Sequence, residues 1–123
     1  MLRGILHTGI EVEDLEQSVA LYRSLGFQLE KEVERPELEA RAATVAKDGV
    51  TFELWQFENK SRPEVAFIRN HIAIYSDDLD KDVKGLVDRG YKLVIPVTDG
   101  HVHRYAFVQD ASGAFCYEIA TDK

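Results

Sequence analysis

Apolar and polar side chains alternate near the start of the chain. Leu6, Ile10 and Val12 fall on one parity, and His7 and Glu11 fall on the other. A period of two is typical of a strand whose two faces meet different surroundings. The pattern therefore predicts a strand over residues 6–12 with an apolar face and a polar face.

The period then changes to that of a helix. Apolar residues recur at steps of three and four from Leu15 to Leu25, which predicts an amphipathic helix. Asp14 is a suitable N-cap, and Gly26 is suited to the left-handed residue that ends a helix. Three strand-like runs follow, at residues 27–33, 41–47 and 50–57.

The same order of elements occurs again 64 residues later. His71, Asp78 and Gly90 repeat His7, Asp14 and Gly26 at that offset. The second copy predicts a strand at 71–75, a helix from 79, and strands at 92–97, 104–109 and 115–120. We therefore predict one domain over 1–123, made of two repeats at about 1–60 and 66–123. The expected class is α+β: two tandem βαβββ modules whose curled mixed sheets surround a cup.

Polar residues interrupt the strands on the face away from the helices. Parity assigns the apolar alternate residues to the helix side, so the others face the cup. Four of these are related by the repeat: His7, Glu53, His71 and Glu118.

Two imidazoles and two carboxylates converging on one point would form a divalent-metal site. Nitrogen and oxygen donors suit nickel, zinc, cobalt, manganese or ferrous iron. The alternative is that the histidines are satisfied strand residues and the glutamates are solubilising edge charges. We favour the metal because all four positions break their strand's alternation on the same side.

Charge and cysteine content narrow the possible partners. The chain has 15 Lys+Arg against 22 Asp+Glu, a formal charge of −7, which disfavours nucleic acid and anionic membranes. Cys116, the single cysteine, cannot form an intrachain disulfide. We expect a cytoplasmic protein that acts on a small molecule.

Two motifs resemble a known family. Asp14-Leu15-x-x-Ser18-x-x-x-Tyr22-x-x-Leu25-Gly26-Phe27 is similar to the first helix of the glyoxalase/bleomycin-resistance/dioxygenase superfamily, the vicinal oxygen chelate proteins. Ala106-Phe107-Val108-x-Asp110-x-x-Gly113 is similar to the segment before its last ligand. The resemblance implies a metal held by the four residues named above, a set similar to that of bacterial glyoxalase I.

The implied activity is that of a lactoylglutathione lyase-like isomerase. The metal would act as a Lewis acid on the two oxygens of an enediolate, and a ligand glutamate would move the proton alpha to the carbonyl. Glu53 and Glu118 are both candidates for the base, and Glu118 is our choice. Glu11 stands where that family places an arginine for the glutathione carboxylate, which argues for another substrate.

Alternatives from other classes remain open. A non-catalytic drug-binding protein, like bleomycin-resistance relatives, would hold a flat cation with its aromatic residues. An extradiol dioxygenase and an acyl-CoA epimerase are further options, although the epimerase branch usually has glutamine where Glu53 stands. A homodimer is expected, and the cup could form within one chain or between two. The candidate substrate contacts are Glu11, Trp55, Phe57, Tyr75, His101 and His103.

Overall fold

The computed structural model describes residues 1–100 and 102–123. It contains two compact units. The first unit is His7–Asn70, and the second unit joins Met1–Leu6 to His71–Lys123. Strand β1 contributes to both, because the division falls between Leu6 and His7.

The first unit follows the predicted order of elements. Strand β4 pairs with β1 in parallel and with β3 in antiparallel orientation, and β3 pairs with β2, so the order is β2-β3-β4-β1. Its elements are β1 (Leu2–Glu11), α1 (Leu15–Ser24), β2 (Gln28–Arg35), a 3-10 turn (Pro36–Leu38), β3 (Ala40–Lys47), β4 (Val50–Phe57) and α2 (Val65–Ile68).

The second unit repeats this arrangement. Strand β8 pairs with β5 in parallel and with β7 in antiparallel orientation, and β7 pairs with β6, which gives β5-β8-β7-β6. Its elements are β5 (His71–Ser76), α3 (Leu79–Asp88), β6 (Lys92–Asp99), β7 (His103–Gln109) and β8 (Cys116–Asp122). The predicted α+β class with two βαβββ modules is confirmed.

Helices α1 and α3 begin and end where their capping residues predict. The Asp14 side chain accepts a hydrogen bond from the Gln17 amide at 3.0 Å, and Asp78 accepts one from the Lys81 amide at 3.3 Å. Gly26 and Gly90 follow the helices with φ of 96° and 98°, a conformation that costs a side-chain-bearing residue more than glycine. Both helix predictions are therefore confirmed at both ends.

Helices α1 and α3 each pack on one face of their own unit's strands. In the first unit, Ile10, Phe52 and Leu54 cluster with Leu15 and Val19 of α1. In the second unit, the corresponding cluster joins α3 to β5, β7 and β8 and contains Ile74, Leu79, Val83, Ala106, Val108, Tyr117 and Ile119. The alternate residues of these strands consequently lie on the face away from the helix.

Two features differ from the sequence expectation. Strand β1 starts at Leu2 rather than Leu6, and the short helix α2 was not predicted. Residues 2–5 carry no period-two pattern, so alternation did not predict that part of β1. Across the described residues, no helix is both long and apolar enough to cross a membrane.

Candidate functional site

The first unit places one histidine beside one glutamate. His7 lies on β1 and Glu53 on β4, and the parallel register sets Gly9 opposite Glu53. Because Gly9 and His7 are two residues apart, His7 shares a face with Glu53. His7 Nε2 lies 3.5 Å from Glu53 Oε1. The unit therefore offers one imidazole nitrogen and one carboxylate oxygen side by side.

The Glu53 carboxylate is held by an aromatic neighbour on the same strand. The Trp55 indole N–H donates a hydrogen bond to Glu53 Oε1 at 2.7 Å. The Trp55 ring stacks on Phe57 with centroids 5.5 Å apart and an interplanar angle of 6°. The Arg35 guanidinium carbon lies 5.7 Å from the Trp55 ring centroid. Trp55 and Phe57 are 4% and 5% exposed, so this group is packed rather than open.

The second unit contains the equivalent pair. His71 Nε2 lies 3.1 Å from Glu118 Oε1, and the parallel register of β5 and β8 sets Ala73 opposite Glu118. His71 is 1% exposed, and Phe107 of β7 contacts its ring edge-to-face at 5.0 Å. A buried polar side chain needs polar partners, and Glu118 supplies one.

The turn that leads into β8 is organised by one carboxylate. Asp110 Oδ1 accepts hydrogen bonds from the Ala114 and Phe115 amides at 2.8 and 3.0 Å, and Ser112 Oγ donates to Oδ2 at 2.6 Å. The hydrogen bond from Ser112, and then that from the Phe115 backbone, hold the pKa of Asp110 below its usual value. These contacts set the start of β8 and with it the position of Glu118.

Replacing Asp110 with asparagine tests this turn. A carboxyl group with a lowered folded pKa stabilises the protein above its unfolded pKa of about 3.9, and that contribution disappears as pH falls through the folded pKa. We expect Asp110→Asn to lower the thermal unfolding midpoint by a few degrees at neutral pH, and the difference from wild type to begin to shrink below about pH 4 and to vanish once pH is below the folded pKa. A difference that stays constant down to pH 2 would contradict this role of the charge.

The donors in the two pairs fit a divalent transition metal. Imidazole nitrogen and carboxylate oxygen bind zinc, nickel, cobalt, manganese and ferrous iron. Cys116 is buried, and burial raises the pKa of its thiol, so a thiolate ligand is disfavoured there. The available chemistry is therefore the nitrogen and oxygen set that the sequence predicted.

Glu11 is neutralised within its own unit. Its carboxylate lies 3.2 Å from Arg69 Nη2 and 3.7 Å from Lys60 Nζ. Lys60 also contacts Glu13, and these two carboxylates raise the pKa of the lysine, Glu13 more than Glu11. Glu11 therefore does not present an isolated negative charge. Its repulsion of a carboxylate-bearing substrate is smaller than the sequence suggested.

Two further candidate substrate contacts, Tyr75 and His103, lie in the second unit. The Tyr75 hydroxyl donates to Asp122 Oδ2 at 3.3 Å, and His103 Nε2 lies 3.7 Å from Asp122 Oδ1. Asp122 is four residues beyond Glu118 on β8, so parity alone could have placed it on the same face. The sequence also did not predict the contacts of Arg35, Lys60 and Arg69, because no sequence period indicates them. His101 lies outside the described residues.

Solved structures share this fold. Methylmalonyl-CoA epimerase from Mycobacterium tuberculosis aligns with a TM-score of 0.82 and 24% identity over 99% of this chain and 89% of the other. A variant of the Streptomyces coelicolor methylmalonyl-CoA epimerase, in complex with 2-nitronate-propionyl-CoA, aligns with a TM-score of 0.79 and 24% identity over 99% of both chains. A hypothetical protein from Bacillus halodurans C-125 aligns with a TM-score of 0.79 and 22% identity over 97% of this chain and 94% of the other.

Sequence comparison assigns the family. A search of curated proteins gave no significant match. The family model of the glyoxalase/bleomycin resistance protein/dioxygenase superfamily matches residues 4–115, which include both histidines, Glu53 and the strands that carry them. The match covers most of both βαβββ modules, in agreement with the resemblance found in the motifs. The chain therefore belongs to the glyoxalase/bleomycin resistance protein/dioxygenase superfamily.

Proposed function

We propose that this protein is a metal-dependent enzyme that moves a proton at the carbon alpha to a carbonyl group of a small molecule. The observation that carries the proposal is the duplicated histidine–glutamate pair, at 3.5 Å in the first unit and 3.1 Å in the second. Under this proposal His7, Glu53, His71 and Glu118 hold one divalent ion. Two carboxylates would balance its double charge, so the ion need not be buried unpaired.

The chemistry divides between the ion and the chain. When bound, the ion would supply Lewis acidity that stabilises negative charge developing on a carbonyl oxygen. Glu118 would take the alpha proton as the carbon–hydrogen bond breaks, and would later return it. His7, His71 and Glu53 would orient the site and remain in place.

The fate of the returned proton separates two substrate classes. Glu118 would act from one face of the substrate, so an epimer forms only if a proton reaches the opposite face of the same carbon, from water or after the enolate turns over. Return of the proton by Glu118 to the adjacent carbon gives a glyoxalase-type isomer. We place acyl-CoA esters first, because solved structures with this fold include methylmalonyl-CoA epimerases. Thiol–2-oxoaldehyde adducts come second, and the neutralised Glu11 keeps carboxylate-bearing adducts among them.

Deuterium exchange tests the step that both classes share. Protein loaded with Ni²⁺, Co²⁺ or Zn²⁺ would be incubated in D₂O with methylmalonyl-CoA or with methylglyoxal adducts of several thiols. Mass spectrometry would follow deuterium at the alpha carbon, and chiral or product analysis would then distinguish epimer from isomer. Metal-dependent incorporation supports the proposal, and no incorporation with any substrate by metal-loaded protein contradicts it.

A further inference from the structure

The two histidine–glutamate pairs are equivalent by repeat, but their surroundings differ at one register position. On β4, Trp55 lies opposite Glu11, and on β8 the corresponding residue is Ala120, opposite Tyr75. Both positions follow the glutamate by two residues and share its face. An indole N–H can donate a hydrogen bond to the carboxylate, and a methyl group cannot.

The indole of Trp55 is itself held in place. It stacks on Phe57 and lies against Arg35, whose Nε is 3.1 Å from Glu37 Oε2. A donor whose ring is packed on neighbouring side chains cannot follow a moving carboxylate. Rotation of Glu53 would therefore break the 2.7 Å hydrogen bond to Oε1. Hydrogen bonds to charged acceptors are stronger than neutral ones, particularly where solvent is excluded.

We propose that Trp55 is a positioning residue that keeps Glu53 a stationary ligand, so that proton transfer belongs to Glu118. The inference rests on the proposed function, because it assigns different roles to the two glutamates of that metal site. Glu118 is held by different contacts, His71 among them. The difference at this position, tryptophan in one repeat and alanine in the other, would thus give the two glutamates different roles.

The chain has one tryptophan, which allows the donor to be removed without changing its shape. Growth of a tryptophan auxotroph on β-(3-benzothienyl)alanine replaces the indole N–H with sulfur only at position 55. Trp55→Phe is the genetically encoded counterpart. Phe57→Leu is the matched control, because it alters the stack and keeps the indole donor.

Metal affinity is the main measurement, and activity is not needed for it. Equilibrium dialysis against Ni²⁺ and Zn²⁺, followed by elemental analysis, gives the dissociation constant for each protein. Loss of an outer hydrogen bond to a metal ligand typically weakens metal binding by about 10- to 100-fold. We expect this weakening of metal binding in the benzothienyl protein and in Trp55→Phe. The metal-free benzothienyl protein should unfold at a temperature close to that of wild type. Phe57→Leu should lower the unfolding midpoint more than it weakens metal binding.

The outcomes separate this inference from the proposed function. Wild-type protein that takes up neither metal would overturn both. Wild-type protein that binds metal, beside a benzothienyl protein that binds it equally well, would overturn the role of Trp55 alone. A benzothienyl protein that loses stability without losing metal affinity would show a packing role and would also overturn it.

Discussion

Glu118→Gln is expected to lower the rate of alpha-proton exchange by about 10²- to 10⁴-fold, the usual contribution of a general acid–base group. Glutamine keeps the length and the oxygen donor of glutamate but cannot accept the proton. His71, which lies 3.1 Å from Glu118 in the wild-type protein, retains a hydrogen-bonding neighbour in this variant. The measurement is deuterium incorporation at saturating metal and substrate.

Glu53→Gln is the matched control for this substitution. If Glu53 only holds the ion, the variant should bind metal more weakly but regain much of its exchange rate when the metal concentration is raised. Glu118→Gln should stay slow at any metal concentration. Equal recovery of both variants, or recovery of Glu118→Gln alone, would contradict the assignment of the two glutamates.

His71→Ala is expected to cost both stability and metal binding. His71 is almost fully buried between Glu118 and the ring of Phe107. Removing one member of a buried polar pair leaves the other charge poorly solvated, and the lost ring leaves a cavity, so we expect about 3 kcal/mol of destabilisation. Urea unfolding of metal-free protein measures this loss.

Metal then separates the two effects of His71→Ala. A ligand that binds only the folded state at 100 times its dissociation constant stabilises it by about 2.7 kcal/mol. Wild-type protein should gain about that much in excess Ni²⁺ or Zn²⁺, and the variant should gain far less. His71→Asn, which keeps a polar side chain near Glu118, should recover part of the stability without recovering the metal response. A full metal response in His71→Ala would remove His71 from the ligand set.

Most of the fold follows from local pattern. The repeat at an offset of 64, the aspartate caps and the glycine ends predicted both helices, and alternation predicted which face of β4 carries Glu53. The caps, the glycine ends and the alternation succeed because they depend on residues within a few positions of one another. Alternation and the repeat also indicated that the histidine and the glutamate of each repeat share the face away from the helix, and their binding of a metal stays a prediction.

The contacts around those pairs could not be predicted in this way. Arg35 lies 20 residues before Trp55 along the chain, and Lys60 and Arg69 reach Glu11 from the segment after β4. Arg35 ends β2, and Lys60 and Arg69 lie outside regular elements, so no sequence period reveals the direction of these long side chains. Homodimer formation, cytoplasmic location and the single-domain boundaries of the two repeats stay predictions.

The metal content of gently purified protein decides whether the four residues hold a divalent ion. Elemental analysis would be run on wild type, Glu53→Gln and His71→Ala after equal treatment with Ni²⁺, Co²⁺, Zn²⁺, Mn²⁺ and Fe²⁺. We expect about one ion per wild-type chain, with marked loss in both variants. Wild-type protein that takes up none of these metals, or variants that keep the full amount, would contradict it.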